Sequence, residues 1–177
     1  MLQKLNPEDF DSVFQLMEVS FPKEEHRPYT AQKALLQKPA YDIYTLADTD
    51  RQLKAFMAVW DFPSLLYVEH FAVNPACRNG GIGAKMLQEM SERFGKMLCL
   101  EVEPPENELA VRRVRFYQRN DFYFNDYPYI QPAMAKHLSA IPLYIMTSGK
   151  AINQTEFHQI KDLLYTHVYE QKGDLIP

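Results

Sequence analysis

Residues 69–87 read EHFAVNPACRNGGIGAKML, an apolar run followed by a basic, glycine-rich turn and then by residues with helical spacing. This order predicts a buried strand, a tight turn and a helix that begins near Gly81. Glycine lets the main chain approach an anion closely, and the first N–H groups of a helix attract negative charge. Arg78 and Lys85 add positive charge beside the turn. The pattern predicts a phosphate-binding loop, although a glycine cluster between a strand and a helix is also typical of a plain tight turn.

The spacing of the glycines narrows the class of ligand. The phosphate loop of nucleoside triphosphatases needs Gly-x-x-x-x-Gly-Lys followed by Ser or Thr, whereas Gly83 is followed by Ala84, Lys85 and Met86. The sequence therefore excludes the phosphate loop of nucleoside triphosphatases. A Rossmann dinucleotide site needs Gly-x-Gly-x-x-Gly, and counting from Gly81 the last position is Met86. This alternative is weakened but stays open.

Three residues of the turn carry a stronger signal. Arg78, Gly81 and Gly83 form the pattern Arg-x-x-Gly-x-Gly, which resembles the coenzyme A pyrophosphate loop of the GNAT superfamily of N-acetyltransferases. A second block is similar to the next strand and helix of that family, with Asn107 near the start of the helix and Tyr117 near its end. The two blocks cover residues 65–122, which correspond to the cofactor half of the family's fold.

The resemblance implies a single-domain α/β fold (mixed α+β) of the GNAT type, with a central mixed, twisted sheet of about six or seven strands, a parallel pair in its middle and flanking helices. It also implies an acyl-CoA-dependent N-acetyltransferase that uses acetyl-CoA as co-substrate and a small-molecule or peptide amine as acceptor. The residues that it assigns to the cofactor are Phe71, Ala72, Val73, Arg78, Asn79, Gly80, Gly81, Ile82, Gly83, Ala84, Asn107 and Tyr117.

Glu69 is the candidate general base. Side chains alternate along a strand, so Tyr67, Glu69, Phe71 and Val73 are predicted to share one face and His70 to point to the other. Burial of Glu69 among apolar residues is expected to raise its pKa toward the range in which it can deprotonate an amine. Members of the family often carry a base on this strand. A purely structural salt bridge is the alternative role.

Tyr117 is the candidate general acid, because in related enzymes the tyrosine of this Phe-Tyr pair lies near the coenzyme sulfur and can protonate the thiolate. Its alternative role is that of a core aromatic beside Val114 and Phe116. By the same resemblance, main-chain N–H groups of Phe71 and Val73 are expected to meet the pantetheine and the thioester oxygen.

Composition limits the remaining possibilities. The 177 residues, 46% of them hydrophobic, are enough for one substantial core, so residues 1–177 are expected to form a single domain. A net charge of -4 argues against nucleic-acid binding. No secretory signal or membrane span is expected, and we predict a cytoplasmic protein. Cys77 and Cys99 are expected to be free thiols, and no metal site is expected because no histidine or cysteine has a partner at ligand spacing.

The other elements follow from periodicity. Helices are predicted over 7–21 and 31–37, and strands over 41–47 and 53–60 in an antiparallel arrangement. Strands 65–73 and 97–102, joined by helix 81–94, are predicted to lie parallel. Two more strands are expected at 127–131 and 142–146. A helix is predicted over 153–171, with an apolar stripe that packs against its own sheet or against a second copy in a homodimer.

The acceptor is the least determined partner. Glu101 and Glu103 alternate with apolar residues on one strand, so both project from one face and would favour a cationic amine if they lined the acceptor cleft. They are also candidates for the base if Glu69 is not. The remaining alternatives are a different acyl chain, a hydroxyl acceptor, a coenzyme A-binding regulatory module without turnover, and the Rossmann dinucleotide protein.

Overall fold

A computed structural model of the protein describes residues 2–171 and contains seven strands and five α-helices in that range. The strands are β1 (Gln3–Lys4), β2 (Tyr41–Ala47), β3 (Leu53–Asp61), β4 (Leu65–Val73), β5 (Met97–Val102), β6 (Phe122–Gln131) and β7 (Ile141–Ser148). The helices are α1 (Phe10–Ser20), α2 (Tyr29–Ala34), α3 (Ile82–Phe94), α4 (Glu108–Gln118) and α5 (Gln154–His167). The chain forms two compact units, Met1–Leu98 and Cys99–Pro177, and the boundary falls inside β5.

In the first unit, strands β1 to β4 pair antiparallel in chain order. Six consecutive residues of β3, 55–60, are buried. A strand that is covered on both faces needs apolar side chains on both, which is why this run shows no alternation with polar residues. The prediction of antiparallel strands over 41–47 and 53–60 is confirmed.

Helix α1 follows a short 3₁₀ turn, Pro7–Asp9, that is capped by the side chain of Asn6. Its backbone becomes extended at Phe21, where φ is -129° and ψ is 143°, just before Pro22. The predicted helix is therefore confirmed. The side chains that it buries are Phe10, Val13, Phe14, Leu16 and Met17.

Strand β4 contains a β-bulge at Glu69. In its register with β3, His70 pairs with Ala58 and Val68 pairs with Val59, so Glu69 has no opposite residue in β3. A bulge inserts one extra residue, bends the strand and re-aims side chains. The alternation predicted along 67–73 is therefore interrupted at the candidate base itself.

In the second unit, β7 pairs antiparallel with both β5 and β6. The register of β6 shifts between Asn125 and Tyr129, beside Pro128, which has no N–H to donate to the ladder. Asn125 fills part of this irregular region, since its side-chain amide donates to the carbonyl of Ile145 at 3.1 Å and to the hydroxyl of Thr147 at 3.0 Å.

The two helices of the second unit begin at asparagine caps. The side chain of Asn107 accepts from the N–H of Ala110 at 2.9 Å and starts α4. Asn153 and Glu156 form a capping box that starts α5, each side chain accepting from the backbone of the other residue. Capping satisfies N–H groups that the helix leaves without an acceptor, so both starts are fixed by local sequence.

The strand order is β1-β2-β3-β4-β5-β7-β6, and β4 with β5 is the parallel pair among the strands of residues 2–171. The predicted mixed sheet is confirmed. The Rossmann alternative is wrong, because a doubly wound sheet is mostly parallel, whereas β1 to β4 and β5 to β7 pair antiparallel.

The bounds of several predicted elements are wrong by a few residues, and one of these elements is β6, which begins at Phe122 rather than at residue 127. The second helix spans Tyr29–Ala34 and tightens into a 3₁₀ turn at Leu35–Gln37, and the last helix ends at His167. The expectation of one domain over 1–177 stays a prediction.

Candidate active site

The turn after β4 has the backbone conformation of an anion-binding loop. Asn79 and Gly81 have positive φ angles of 68° and 74°, and both are exposed together with Arg78 and Gly80. A Cβ atom added to Gly81 would meet nothing within 4 Å. Glycine is therefore favoured at position 81 by its left-handed backbone rather than by lack of space.

Helix α3 begins directly after Gly81. The N–H of Lys85 donates to the carbonyl of Gly81 at 3.0 Å and is the first to join the helical ladder. The preceding N–H groups, those of Ile82, Gly83 and Ala84, have no acceptor within the helix, and they lie at its positive end. The Nε of Arg78 donates to the carbonyl of Val73 at 3.1 Å, which holds this side chain over the turn. Main-chain N–H groups and a guanidinium are suitable donors for a pyrophosphate.

The end of β4 leads the chain into this turn. Ala72 is buried, whereas Phe71 and Val73 are half-buried, and all three pair with residues of β3. Asn74 continues the pairing, since its N–H donates to the carbonyl of Lys54 at 2.8 Å. The main-chain contacts of Phe71 and Val73 with pantetheine stay a prediction.

Glu69 has a fully buried side chain that forms an ion pair with Arg27. The side-chain exposure is 0% for Glu69 and 10% for Arg27, and Arg27 Nη1 lies 2.6 Å from Glu69 Oε1. Arg27 lies in segment 22–28, which joins α1 to α2. Its side chain contacts Glu69 of β4. A basic residue in a polar segment carries no sequence signal for a partner 42 positions away, so sequence reasoning missed this contact.

The expected rise of the Glu69 pKa is wrong. Burial does raise the pKa of this carboxyl, but the charge of Arg27 and the interaction with His70 outweigh burial and lower the pKa from 4.5 to about 2. The charge of Arg27 is the largest single effect that lowers this pKa. In this state Glu69 is ionised at neutral pH and is a weak base.

The expected orientation of His70 is also wrong. Its Nδ1 lies 3.5 Å from Glu69 Oε2, so the two side chains are close together instead of on opposite faces. The bulge at Glu69 is the physical reason. His70 Nε2 donates to the carbonyl of Glu25 at 2.7 Å, and the ring packs edge-on against Phe21. His70 therefore ties segment 22–28 to β4 at a second point.

Tyr117 lies on α4 with 8% of its surface exposed. Its ring contacts Phe116 and Phe122, with centroids 5.2 and 5.5 Å away. Burial raises the pKa of the Tyr117 hydroxyl to about 12, although Arg113 acts in the opposite direction. The hydroxyl is therefore protonated at neutral pH and is available only as a proton donor. The packed ring fits the role of a core aromatic, and the general-acid role stays a prediction.

Asn107 is exposed and caps α4 through its side-chain oxygen, as described above. Its predicted contact with the cofactor is a separate role that stays a prediction.

The two carboxylates of β5 and its end have protein partners of different kinds. Glu101 accepts hydrogen bonds from the hydroxyl of Tyr129 and, at 2.8 Å, from that of Tyr169, while Arg113 Nη1 lies 2.6 Å from Glu103 Oε2. The contact of Tyr169 was not predicted, because this residue lies 68 positions after Glu101 in the sequence. Both carboxylates are half-buried.

The two cysteines are free, with Cys77 half-buried and Cys99 buried. Within residues 2–171, no group of three or more His, Cys, Asp and Glu side chains is arranged to hold a metal ion. No helix in the same range combines the length and the apolar character needed to cross a membrane.

Comparison with known proteins identifies the family. A family model described as an acetyltransferase (GNAT) domain matches residues 39–123. A structure described as an acetyltransferase of the GNAT family from Bacteroides thetaiotaomicron is 32% identical, with a TM-score of 0.87, and the alignment covers 97% of this chain and 99% of that one. No curated protein matches the chain in sequence.

Two more distant structures share the fold alone. The ribosomal-protein-S18-alanine N-acetyltransferase of Escherichia coli is 18% identical with a TM-score of 0.59, over 86% of this chain and 95% of that one. An aminoglycoside 6'-N-acetyltransferase complexed with coenzyme A is 13% identical with a TM-score of 0.60, over 84% and 96%. The match to the family model and the 32% identity to the structure from Bacteroides thetaiotaomicron lead to the same conclusion as the fold and the glycine-rich turn before α3. The chain belongs to the GNAT family of acetyltransferases.

Proposed function

We propose that the protein transfers an acetyl group from acetyl-CoA to an amine of a small molecule or a protein. The observation that carries the proposal is the exposed turn Arg78–Gly81, which has a left-handed backbone at Asn79 and Gly81 and leads into the N-terminus of α3. This arrangement of donors suits the pyrophosphate of coenzyme A. The residues proposed to hold it are the cofactor residues predicted from the sequence: Phe71, Ala72, Val73, Arg78, Asn79, Gly80, Gly81, Ile82, Gly83, Ala84, Asn107 and Tyr117.

The reaction has four events. The acceptor's ammonium loses one proton, the neutral nitrogen attacks the thioester carbonyl carbon while the carbon–sulfur bond breaks, the nitrogen releases a second proton to form the amide, and the departing thiolate gains a proton. Glu69 is proposed for the first event and Tyr117 for the last. A main-chain N–H of Phe71 or Val73 is proposed to stabilise the developing oxyanion.

The environment of Glu69 favours a second candidate function. A carboxylate that is fully buried and paired with Arg27 suits a structural role, and a coenzyme A-binding regulatory module without turnover needs no base. The two functions differ in one measurable property, because only a transferase releases free coenzyme A thiol in the presence of an amine.

The loop is tested by calorimetric titration of acetyl-CoA into the wild-type protein and into Gly81→Val. The variant should bind much more weakly, because a β-branched residue disfavours a positive φ and blocks close approach of the main chain. Gly95→Val is the matched control, since Gly95 ends the same helix with φ 59° and equally open space. It should keep the wild-type affinity. Equal affinity of Gly81→Val and the wild type would remove the turn from the site.

Turnover is tested with a panel of primary amines and one hydroxyl acceptor, and thiol release is followed colorimetrically. Release that depends on an amine supports the transferase. Binding of acetyl-CoA without any release across the panel supports the regulatory module. The cytoplasmic location and the homodimer expected from the sequence stay predictions.

A further inference from the structure

Glu69 meets charged or titratable groups from three elements. Its Oε1 accepts from Arg27 on segment 22–28, and its Oε2 faces His70 of the same strand. Tyr41 of β2 also lies within its electrostatic reach, since burial and the charge of Glu69 both raise the pKa of this tyrosine. A carboxylate with no exposed surface needs a cationic partner, because burying an unpaired charge is very costly.

The two partners of Glu69, Arg27 and His70, differ in side-chain length and in exposure. The His70 side chain is 1% exposed, and it is fixed by Glu25 and Phe21. The Arg27 side chain is 10% exposed, and it is long enough to move its charged end into water. Segment 22–28 would stay in place during such a movement, because the backbone N–H of Arg27 donates to Gln32 at 3.3 Å and Glu25 stays bonded to His70.

We propose that the Arg27 guanidinium occupies a cation position beside Glu69 and that the ammonium group of the acceptor replaces it there during the reaction. This inference rests on the proposed acetyltransferase function and names its acceptor class as a cationic amine. A neutral hydroxyl acceptor cannot make the exchange, because it would leave the buried Glu69 carboxylate without the charge that Arg27 provided.

The exchange also explains how Glu69 becomes a base. With Arg27 in place, the carboxylate is held ionised and binds protons weakly. Unlike the guanidinium, the acceptor's ammonium can give up a proton, and burial favours the neutral pair of carboxylic acid and amine over a buried ion pair. The proton then moves from the ammonium nitrogen to Glu69 Oε1, and the nitrogen lone pair becomes free to attack the thioester carbon. One cation is replaced by another, so the buried charge is never left unpaired.

The first test needs no turnover. Carboxyl ¹³C NMR of the wild-type protein and of Arg27→Gln, with the Glu69 resonance identified from Glu69→Gln, should show no titration of Glu69 between pH 4 and pH 8 in the wild type. In Arg27→Gln the same resonance should titrate within that range. Adding n-butylammonium to Arg27→Gln should shift the Glu69 resonance, and n-butanol should not. A resonance that is insensitive to both the substitution and the cation would overturn the proposal.

The second test uses turnover with an amine that the wild type acetylates. Arg27→Gln should lower the KM for that amine several-fold, because the competing guanidinium is gone, whereas the KM for acetyl-CoA should not change. The matched control is Arg51→Gln, since Arg51 pairs with Asp9 at 3.2 Å on the surface with 79% of its side chain exposed. It should leave both constants unchanged. A higher KM for the amine in Arg27→Gln would show that Arg27 anchors the site and would overturn the proposal.

Two further measurements keep the inference separable from folding and from the proposed function. If Arg27→Gln does not fold, Arg27→Lys keeps a cation and should show a KM for the amine no higher than that of the wild type. A KM above that of the wild type would refute the exchange. In folded Arg27→Gln, millimolar guanidinium chloride should inhibit competitively against the amine. If the wild type acetylates no amine while n-butylammonium still shifts Glu69 in Arg27→Gln, the transferase function fails and the cation exchange stands.

Discussion

Replacing Glu69 with glutamine should strongly destabilise the protein and remove one component of its acid sensitivity. The substitution keeps the shape of the side chain but removes the charge that Arg27 and His70 face. The Glu69 pKa is about 2 in the folded protein against an ordinary value of 4.5, a difference of about 2.5 units, and each unit corresponds to about 1.4 kcal/mol. The ionised carboxylate therefore contributes about 3 kcal/mol to the free energy of unfolding at neutral pH.

The direction of the Glu69 pKa shift determines how its contribution to stability changes with pH. The folded-state pKa is depressed, so this contribution is fully present above pH 4.5 and is lost as the pH falls through about 2. Removing one member of a buried ion pair costs about 3 to 5 kcal/mol by a separate route, because the remaining charge is left buried without a partner. The stability contribution obtained from the pKa shift therefore agrees with the usual cost of breaking a buried ion pair.

Urea unfolding followed by circular dichroism at pH 7 and at pH 3 measures both effects. Glu69→Gln should lose about 3 kcal/mol at pH 7 and should show a smaller loss of stability between pH 7 and pH 3 than the wild type. Asp9→Asn is the matched control, because Asp9 pairs with Arg51 on the surface at 3.2 Å, and exposed pairs contribute about 1 kcal/mol at most. If Glu69→Gln were no less stable than Asp9→Asn at pH 7, Glu69 would not be in a buried ion pair.

Three other substitutions test separate parts of the chain. Gly81→Ala should lose about 1 to 2 kcal/mol in urea unfolding because φ is 74°, and full stability would mean that the left-handed turn is absent. Tyr117→Phe should lower kcat with little change in Tm, since the ring is kept and the proton donor is lost; a normal kcat would leave Tyr117 a packing role only. Asn153→Ala should lose about 1 kcal/mol with unchanged acetyl-CoA affinity by calorimetry, because it removes the capping box, and unchanged stability would contradict the cap.

Local features of the chain were predictable from its sequence. The turn at Gly81, the asparagine caps at Asn107 and Asn153 and the buried run of β3 each depend on residues within a few positions of one another. Helical and strand periodicity reports such features directly, so the element types were correct. Boundaries were less accurate, because the 3₁₀ turn at Leu35–Gln37 has the same apolar spacing as a helix end.

The electrostatics of the candidate site were not predictable in the same way. Burial of Glu69 follows from its apolar neighbours in the sequence, but its pKa depends on Arg27, which only the fold brings within 2.6 Å. The face to which His70 points depends on a β-bulge, and one extra residue in a strand reverses the alternation without a sequence signal of its own. Contacts between distant positions thus determined the charge state of the site.

Cys77 and Cys99 differ in burial, so thiol reagents can distinguish the folded protein from the unfolded one. Cys99 has no exposed surface, and burial raises its pKa further above the usual value, so thiol reagents should not modify it in the folded protein. Cys77 is half-buried and directly precedes Arg78. A maleimide fluorophore should therefore label native molecules at Cys77 alone, where its emission would respond to an anion entering the adjacent turn. Denaturation would expose Cys99, and the amount of this second thiol that reacts would measure the unfolded fraction.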